Sequence, residues 1–304
     1  MSIGHYIKEI GRGKDGARAL TRDQAADLFG QVLDGTLTDL EVGAFCIAMR
    51  IKGETAQEMA GFLDATEARL HRLGATHSPT VVLPSYNGAR KLPVLTPLLG
   101  LLLAREGVPV LLHGAATEST RVSSIQVLQA LDIAALTAVR ALAPGELAYA
   151  PTELLCLGLK RLLDVRRVLG LRNSAHSLVK LMNPCAGRAL IVSSYTHPEY
   201  AESMAATFAL TGAQALLLRG TEGESVADAR RTPRMELITG GEVRVLQEAQ
   251  AGPLGQLPEL PSVDAGATAA YIRAVLAGDL AVPQPIAIQV QHILQALQVL
   301  SDGR

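Results

Sequence analysis

A chain of 304 residues is long enough for one large domain or two ordinary ones. Apolar residues make up 48% and aromatics 3%, with no Trp, so the interior must be aliphatic. A net charge of −1 leaves bulk charge silent about nucleic acid or membranes, and three dispersed cysteines, Cys46, Cys156 and Cys185, make neither a disulfide framework nor a zinc spacing.

The opening run MSIGHYIKEIGRGKDG lacks the apolar centre of a signal peptide, and the most apolar stretch, 93–104, is too short to span a bilayer. The expectation is a cytoplasmic protein with no membrane partner. Three capping-box patterns follow: Thr21 with Gln24, Thr38 with Glu41 and Thr55 with Glu58. In each, the hydroxyl can accept from the third helical N–H while the Gln or Glu reaches back. Gly35 and Gly53 stand where helices would stop. Residues 1–72 therefore read as a helical domain.

From about residue 80 the period changes. VVLPSY (81–86), VPVLLHG (108–114), ALIVSSY (189–195) and AQALLLRG (213–220) read as buried strands, and 93–106, 121–131, 159–169 and 199–211 as helices between them. Such alternation implies a mainly parallel sheet covered by helices. MELITGGEVRVL has Gly-Gly between two alternating runs and reads as an antiparallel hairpin. A Pro/Gly-punctuated connection, 249–265, leads to two closing helices at about 265–277 and 286–300. The fold class is an N-terminal helical bundle plus an α/β domain over 80–304. A hinge, or a return to the helical domain, is open near 160–185.

Ligands of parallel α/β sheets sit at the carboxyl ends of the strands. There, Ser85-Tyr86-Asn87-Gly88-Ala89-Arg90-Lys91 is either a weakened anion loop or an ordinary turn with a solvated basic pair. The segment His113 to Arg121, with Gly114, Ser119 and Thr120, offers hydroxyls that would suit a phosphate oxygen at a helix start, or simply cap that helix. Charge is uneven: residues 1–72 hold 9 basic and 11 acidic side chains, 85–234 hold 16 and 11, and 235–304 hold 3 and 7. The densest part is Lys160, Arg161, Arg166, Arg167, Arg172 and Lys180, facing one acid, Asp164. That strip is a solvated helix face or a surface for a polyanion, and Arg forks suit phosphate. Arg219, Arg230, Arg231 and Arg234 crowd a last segment, which reads as a loop contacting an anionic partner or as a set of internal ion pairs. Glu222, Glu224 and Asp228 in it are possible oxygen ligands for Mg²⁺. No catalytic residue, metal site or cofactor is assigned.

Met49-Arg50-Ile51-Lys52-Gly53-Glu54-Thr55 followed by Glu58-Met59-Ala60-Gly61 resembles the helical domain of anthranilate phosphoribosyltransferases and pyrimidine nucleoside phosphorylases, and the later segments agree in order. Arg219 to Glu224 with Ala229 to Met235 most resembles the YbiB-type TrpD-like paralogues. The resemblance implies a helical domain joined to an α/β domain, a homodimer formed through the helical domain, and nucleic-acid binding. The departures are specific. The family's GTGGD loop reads Ser85-Tyr86-Asn87-Gly88-Ala89, its NIST segment keeps only Thr96, and its KHGN reads Leu112-His113-Gly114-Ala115. Its metal-binding Asp-Glu pair falls at Ser225-Val226, which cannot hold Mg²⁺ as two carboxylates do. An arginine that helps bind the aromatic acid is matched by Arg167. These losses predict little or no phosphoribosyl transfer. The expected function is non-catalytic, sequence-independent binding of DNA or RNA, single strands foremost, through phosphate contacts; the alternative is a phosphoribosyltransferase-like enzyme with an altered anionic substrate. Few aromatics argue against extensive base stacking, and Tyr86 alone sits beside a basic pair.

Overall fold

The computed structural model describes residues 2–13, 15–253, 255 and 257–302. The N-terminal helices are α1 (Gly4–Ile10), α2 (Arg22–Asp34), α3 (Asp39–Lys52) and α4 (Ala56–Glu67). All three expected capping boxes form, with Thr21, Thr38 and Thr55 accepting from the backbone N–H of Gln24, Glu41 and Glu58. Phe29, Phe45 and Phe62, one from each of α2 to α4, meet in a cluster with ring centroids 4.5 to 6.1 Å apart. Three of the chain's four phenylalanines thus hold three helices together.

The remainder runs β1 (Thr80–Ser85), α5 (Thr96–Arg105), β2 (Val110–Gly114), α6 (Ser124–Ala130), β3 (Leu147–Pro151), α7 (Thr152–Leu155), α8 (Leu157–Leu169), α9 (Ala175–Leu178), β4 (Ala189–Tyr195), α10 (Pro198–Thr211), β5 (Ala215–Arg219), β6 (Met235–Thr239), β7 (Glu242–Gln247), α11 (Ala265–Ala277) and α12 (Gln284–Asp302). Seven strands form one sheet in the order β3-β2-β1-β4-β5-β6-β7. The first five pair in parallel and the last two antiparallel, β6 and β7 being the hairpin around Gly240-Gly241. Leu254 and Gln256 of the punctuated connection lie outside the described residues.

Alternate residues of the buried strands serve two cores. Val82, Leu111, Ile191 and Leu217 join the core that includes the helical layer. Val81, Leu112, Leu190 and Leu216 pack under α5, α11 and α12. Helices α8 and α9 are remote from α1 to α4 in sequence, yet they pack on α2 and α4 respectively, and α10 also lies on α4. The helical layer is therefore built from two separated stretches of chain and shares its core with one face of the sheet. No described helix is long and apolar enough to cross a membrane.

Candidate functional site

Four segments meet at the carboxyl ends of β1, β2, β4 and β5. After β1 the chain turns through Tyr86 to Lys91, and most backbone N–H groups of this turn face carboxylates of the 220–227 loop. Asn87 N and Gly88 N each donate to Glu224 Oε1 at 2.8 Å. Ser85 Oγ and Thr96 Oγ1 reach Glu224 Oε2 at 2.5 and 3.2 Å. Arg90 N and Lys91 N donate to Glu222 Oε2 and Oε1 at 2.5 and 3.0 Å. Gly88 has φ +67°, and a Cβ there would stand 2.8 Å from Val122 O, so no larger residue fits this turn. Successive N–H groups turned to one side make an anion-binding concavity.

The 220–227 loop is locked in this position. Asn87 Nδ2 donates to Glu222 O, Lys180 Nζ and Ser194 Oγ each donate to Gly223 O at 2.8 Å, and Ser225 Oγ donates to Pro84 O. Buried Gln289 of α12 donates to Ser225 O and accepts from Ala227 N. Glu222 adopts φ +51°, unusual for a residue with a Cβ. At Gly223, φ +87°, a Cβ would come within 2.0 Å of Asn87 Nδ2. Burial pulls the Lys180 ammonium down to about 8, against the opposing field of Glu224. Its proton-bearing nitrogen serves the loop carbonyls, not the solvent.

Beside this cradle, three guanidinium groups converge on one carboxylate. Arg166 Nη2 lies 2.9 Å from Glu118 Oε1, Arg172 Nη2 lies 3.4 Å from the same oxygen, and Arg121 Nε lies 3.5 Å from Oε2. Arg121 Nη1 also donates to Asn87 O, tying the cluster to the cradle. One carboxylate does not balance three arginines. Burial and the field of Arg166 lower Arg172 below the ordinary guanidinium range, and burial with the fields of Arg172 and Arg166 lowers His176 to about 4. Burial alone would raise Glu118, but the bond from Arg166 and the three arginine fields hold it below the usual carboxylate range. Arg166 Nη1 and Arg121 Nε are buried with no hydrogen-bond partner among the described residues.

The remaining basic residues separate into other roles. Lys160 and Arg167 both pair with Asp164 on α8. The Arg167 side chain is 66% exposed and Arg166 21%, so Arg166, not Arg167, turns inward to Glu118. Arg161 is exposed, with Nη1 over Gly35 between α2 and α3. Arg230 forks onto Asp228, Arg234 pairs with Glu236 and Glu248, and Arg231 caps Gly252 O. Arg230 and Arg234 thus form internal ion pairs, while Arg231 is exposed and bonds to a backbone carbonyl. Arg219, Arg90 and Lys91 are exposed, and the last two contribute their backbone N–H groups to the cradle. Ser119 and Thr120 are exposed and precede the short α6, whose cap is Ser123. Tyr86 is buried, so it offers no face to a base; its hydroxyl lies 2.8 Å from His113 Nδ1 and 3.1 Å from Thr152 Oγ1. His113 is fully buried, which lowers it to about 3, and Gly114 stands so close to Ser85 that a Cβ would meet Ser85 O at 2.0 Å.

The acidic groups do not fit a divalent cation. Glu222 and Glu224 point their oxygens at N–H and O–H donors, Asp228 is held by Arg230, and Val226 at the second position of the lost acidic pair is buried and apolar. Neither the Glu222–Glu224 pairing with the β1 turn nor the Glu118 cluster was legible from spacing. Glu118 had one signal, as the sole acid in a hydroxyl-rich loop, but Arg166 and Arg172 reach it from far along the chain, on and just after α8.

Residues 5–69 match the glycosyl transferase family helical bundle domain. YbiB of Escherichia coli (strain K12) is 41% identical over 314 residues, covering 100% of this chain and 98% of its own. An anthranilate phosphoribosyltransferase of Nocardioides sp. (strain ATCC BAA-499 / JS614) is 27% identical, covering 86% of this chain and 78% of that one. The crystal structure of anthranilate phosphoribosyltransferase from Thermus thermophilus superposes with a TM-score of 0.71 at 21% identity, over 95% of this chain and 86% of that chain, which establishes the common fold. With an anthranilate phosphoribosyltransferase architecture, a matched helical bundle and a full-length relative in YbiB, the chain belongs to the YbiB-type TrpD-like family.

Proposed function

We propose that this protein binds nucleic acid through the phosphate backbone, without regard to sequence, and does not transfer phosphoribosyl groups. The observation that carries the reading is the convergence of Arg121, Arg166 and Arg172 on the single carboxylate of Glu118. Guanidinium groups gathered around one carboxylate carry excess positive charge and fork geometry that suit phosphate oxygens. Exposed Arg90, Lys91 and Arg219 at neighbouring strand ends would extend the track for a polyanion. The cradle's donors are spent on the protein's own glutamates, which leaves a phosphorylated ribose donor without its anchor. We further propose that the protein acts as a homodimer, through the exposed apolar stripe of Leu40, Ile47 and Ile51 on α3. A pair of such grooves would gain from multivalent engagement of one strand.

A second reading, transfer to or from an altered anionic substrate, is favoured by the likeness to anthranilate phosphoribosyltransferases over most of the chain. One titration series separates the two. A labelled random-sequence single-stranded oligonucleotide should bind tightly at low salt and lose affinity steeply as salt rises. Arg166→Gln and Arg172→Gln should each weaken binding to all sequences alike and reduce the salt slope by about one unit. If the oligonucleotide fails to bind at low salt while phosphoribosyl pyrophosphate with Mg²⁺ binds calorimetrically, the enzyme reading replaces the first.

A further inference from the structure

Helix α10 carries one stripe of side chains from the core to the strand ends. Phe208 and Met204 are buried in the core shared with the helical layer, and Tyr200, with His197 at the N-cap, continues their face at helical spacing. The stripe ends in the open: Tyr200 is 42% exposed, and His197 is exposed too. Side chains of a helix lean towards its N-terminus, and α10 begins just past the carboxyl end of β4. The Tyr200 ring therefore leans towards the end of the sheet where the site segments meet. The rings of His197 and Tyr200 stand 6.2 Å apart at 57°, so neither is stacked on the other. His197 makes no capping bond to the helix. Half-buried Tyr195 pairs in register with exposed Arg219 on β5, and Ser194 donates to Gly223 O of the 220–227 loop. In the order β2-β1-β4, β4 stands two strands from β2, about 10 Å at ordinary strand spacing. The ring pair and the loop carrying Glu118 and Arg121 thus share one end of the sheet. Glu199, in the first turn of α10, repels phosphate there, so the pair offers ring faces and not an anion pocket.

We propose that His197 and Tyr200 form a base-stacking platform that makes single strands the substrate class of this surface. The inference rests on the nucleic-acid reading above and adds a second kind of contact to it. Arginines that hold phosphates do not distinguish paired from unpaired strands. Ring faces do, because only a base that has left a duplex stack can lie on them. Every base has a π-face, so the platform adds affinity without adding sequence preference. Arg219, at the neighbouring strand end, is placed to take an adjoining phosphate. Tyr86 cannot share the task, because it is buried. The scarcity of aromatics limits the platform to one or two bases, and the arginines supply the rest of the contact.

The test uses the full-length chain with Tyr200→Leu and Tyr200→Phe, and two labelled strands of equal length: a random-sequence single-stranded oligonucleotide and a base-free strand with the same phosphates. The natural chain should bind the base-free strand more weakly by about fivefold or more. Tyr200→Leu should weaken the base-containing strand by a similar factor, leave the base-free strand unchanged and keep the salt slope, whereas Arg166→Gln lowers that slope. Tyr200→Phe keeps the ring and should bind as the natural chain does. A second readout is intrinsic. The chain has six tyrosines and no Trp, and Tyr6, Tyr86 and Tyr149 are buried, so tyrosine emission should be quenched by the base-containing strand and not by the base-free one. Equal weakening of both strands by Tyr200→Leu, or of neither, overturns the platform. Should Tyr200→Leu fail to fold, the natural chain decides through its two strands and its emission: equal affinity and equal quenching overturn the platform and leave the arginine cluster standing. A natural chain that binds neither strand at low salt removes the nucleic-acid reading and the platform with it.

Discussion

At Glu118 a single carboxylate restrains three guanidinium groups, and its own acidity is the measure of their pull. Neutralising it leaves the arginines unpaired for an incoming phosphate. Glu118→Gln should therefore tighten oligonucleotide binding by about tenfold and steepen the salt dependence by roughly one phosphate contact, read by fluorescence anisotropy across a salt series. The buried histidines give a second outcome at this scale. His113 and His176 are lowered to about 3 and about 4, against an ordinary value of 6.5. Between those limits the unfolded chain takes up protons that the folded chain refuses, so stability falls as pH drops from about 6.5 towards 4. Thermal midpoints measured from pH 7.5 to 4.5 should decline accordingly, with a shallower decline in His113→Gln.

At the scale of elements, the short-range signals in the sequence translated well and the long-range ones did not. Each capping box is decided by residues three apart, and all three formed. The hairpin turned at Gly240-Gly241, where both glycines have positive φ. By contrast, β3 went unread, since Leu147-Ala-Tyr-Ala-Pro151 is short, alanine-rich and closed by proline, and becomes a strand by pairing with β2. Helix α8 was recognised, but which of Arg166 and Arg167 turns inward depends on how it docks on α2, and periodicity alone did not decide that. The Arg219–Arg234 segment read as a surface for a partner or a set of ion pairs; Arg230 folds back onto Asp228 and Arg234 onto Glu236, two residues away in each case, and the β6–β7 hairpin brings Glu248 to Arg234. One element-level contact invites a stability measurement. Glu58 of α4 is fully buried and accepts from Leu20 N, Thr55 N, Thr55 Oγ1 and Lys52 Nζ, the last at 2.6 Å. Glu58→Ala strands a buried ammonium and two amides, and should destabilise the fold by about 3–5 kcal/mol in denaturant unfolding.

For the whole molecule, the exposed stripe on α3 sets the expected assembly. Leu40 is 83% exposed and Ile51 58%, on the face of α3 turned from the phenylalanine cluster. Ile51→Glu would place charge in a dimer seam and should halve the mass seen by sedimentation velocity, while leaving the binding of a short oligonucleotide to each groove intact. A natural chain that sediments as a monomer would remove the homodimer from the reading without touching the arginine cluster.

The helical layer also has a schedule imposed by its discontinuity. Helices α1 to α4 leave the ribosome early, but the partners that cover α2 and α4, namely α8, α9 and α10, end at Thr211, after four strands have been made. At roughly 5–20 residues per second, α4 waits on the order of 7–30 s for its full cover. During that interval the nascent bundle exposes the apolar faces that will later bind α8, α9 and α10. The N-terminal bundle is thus a late-maturing piece in spite of being made first.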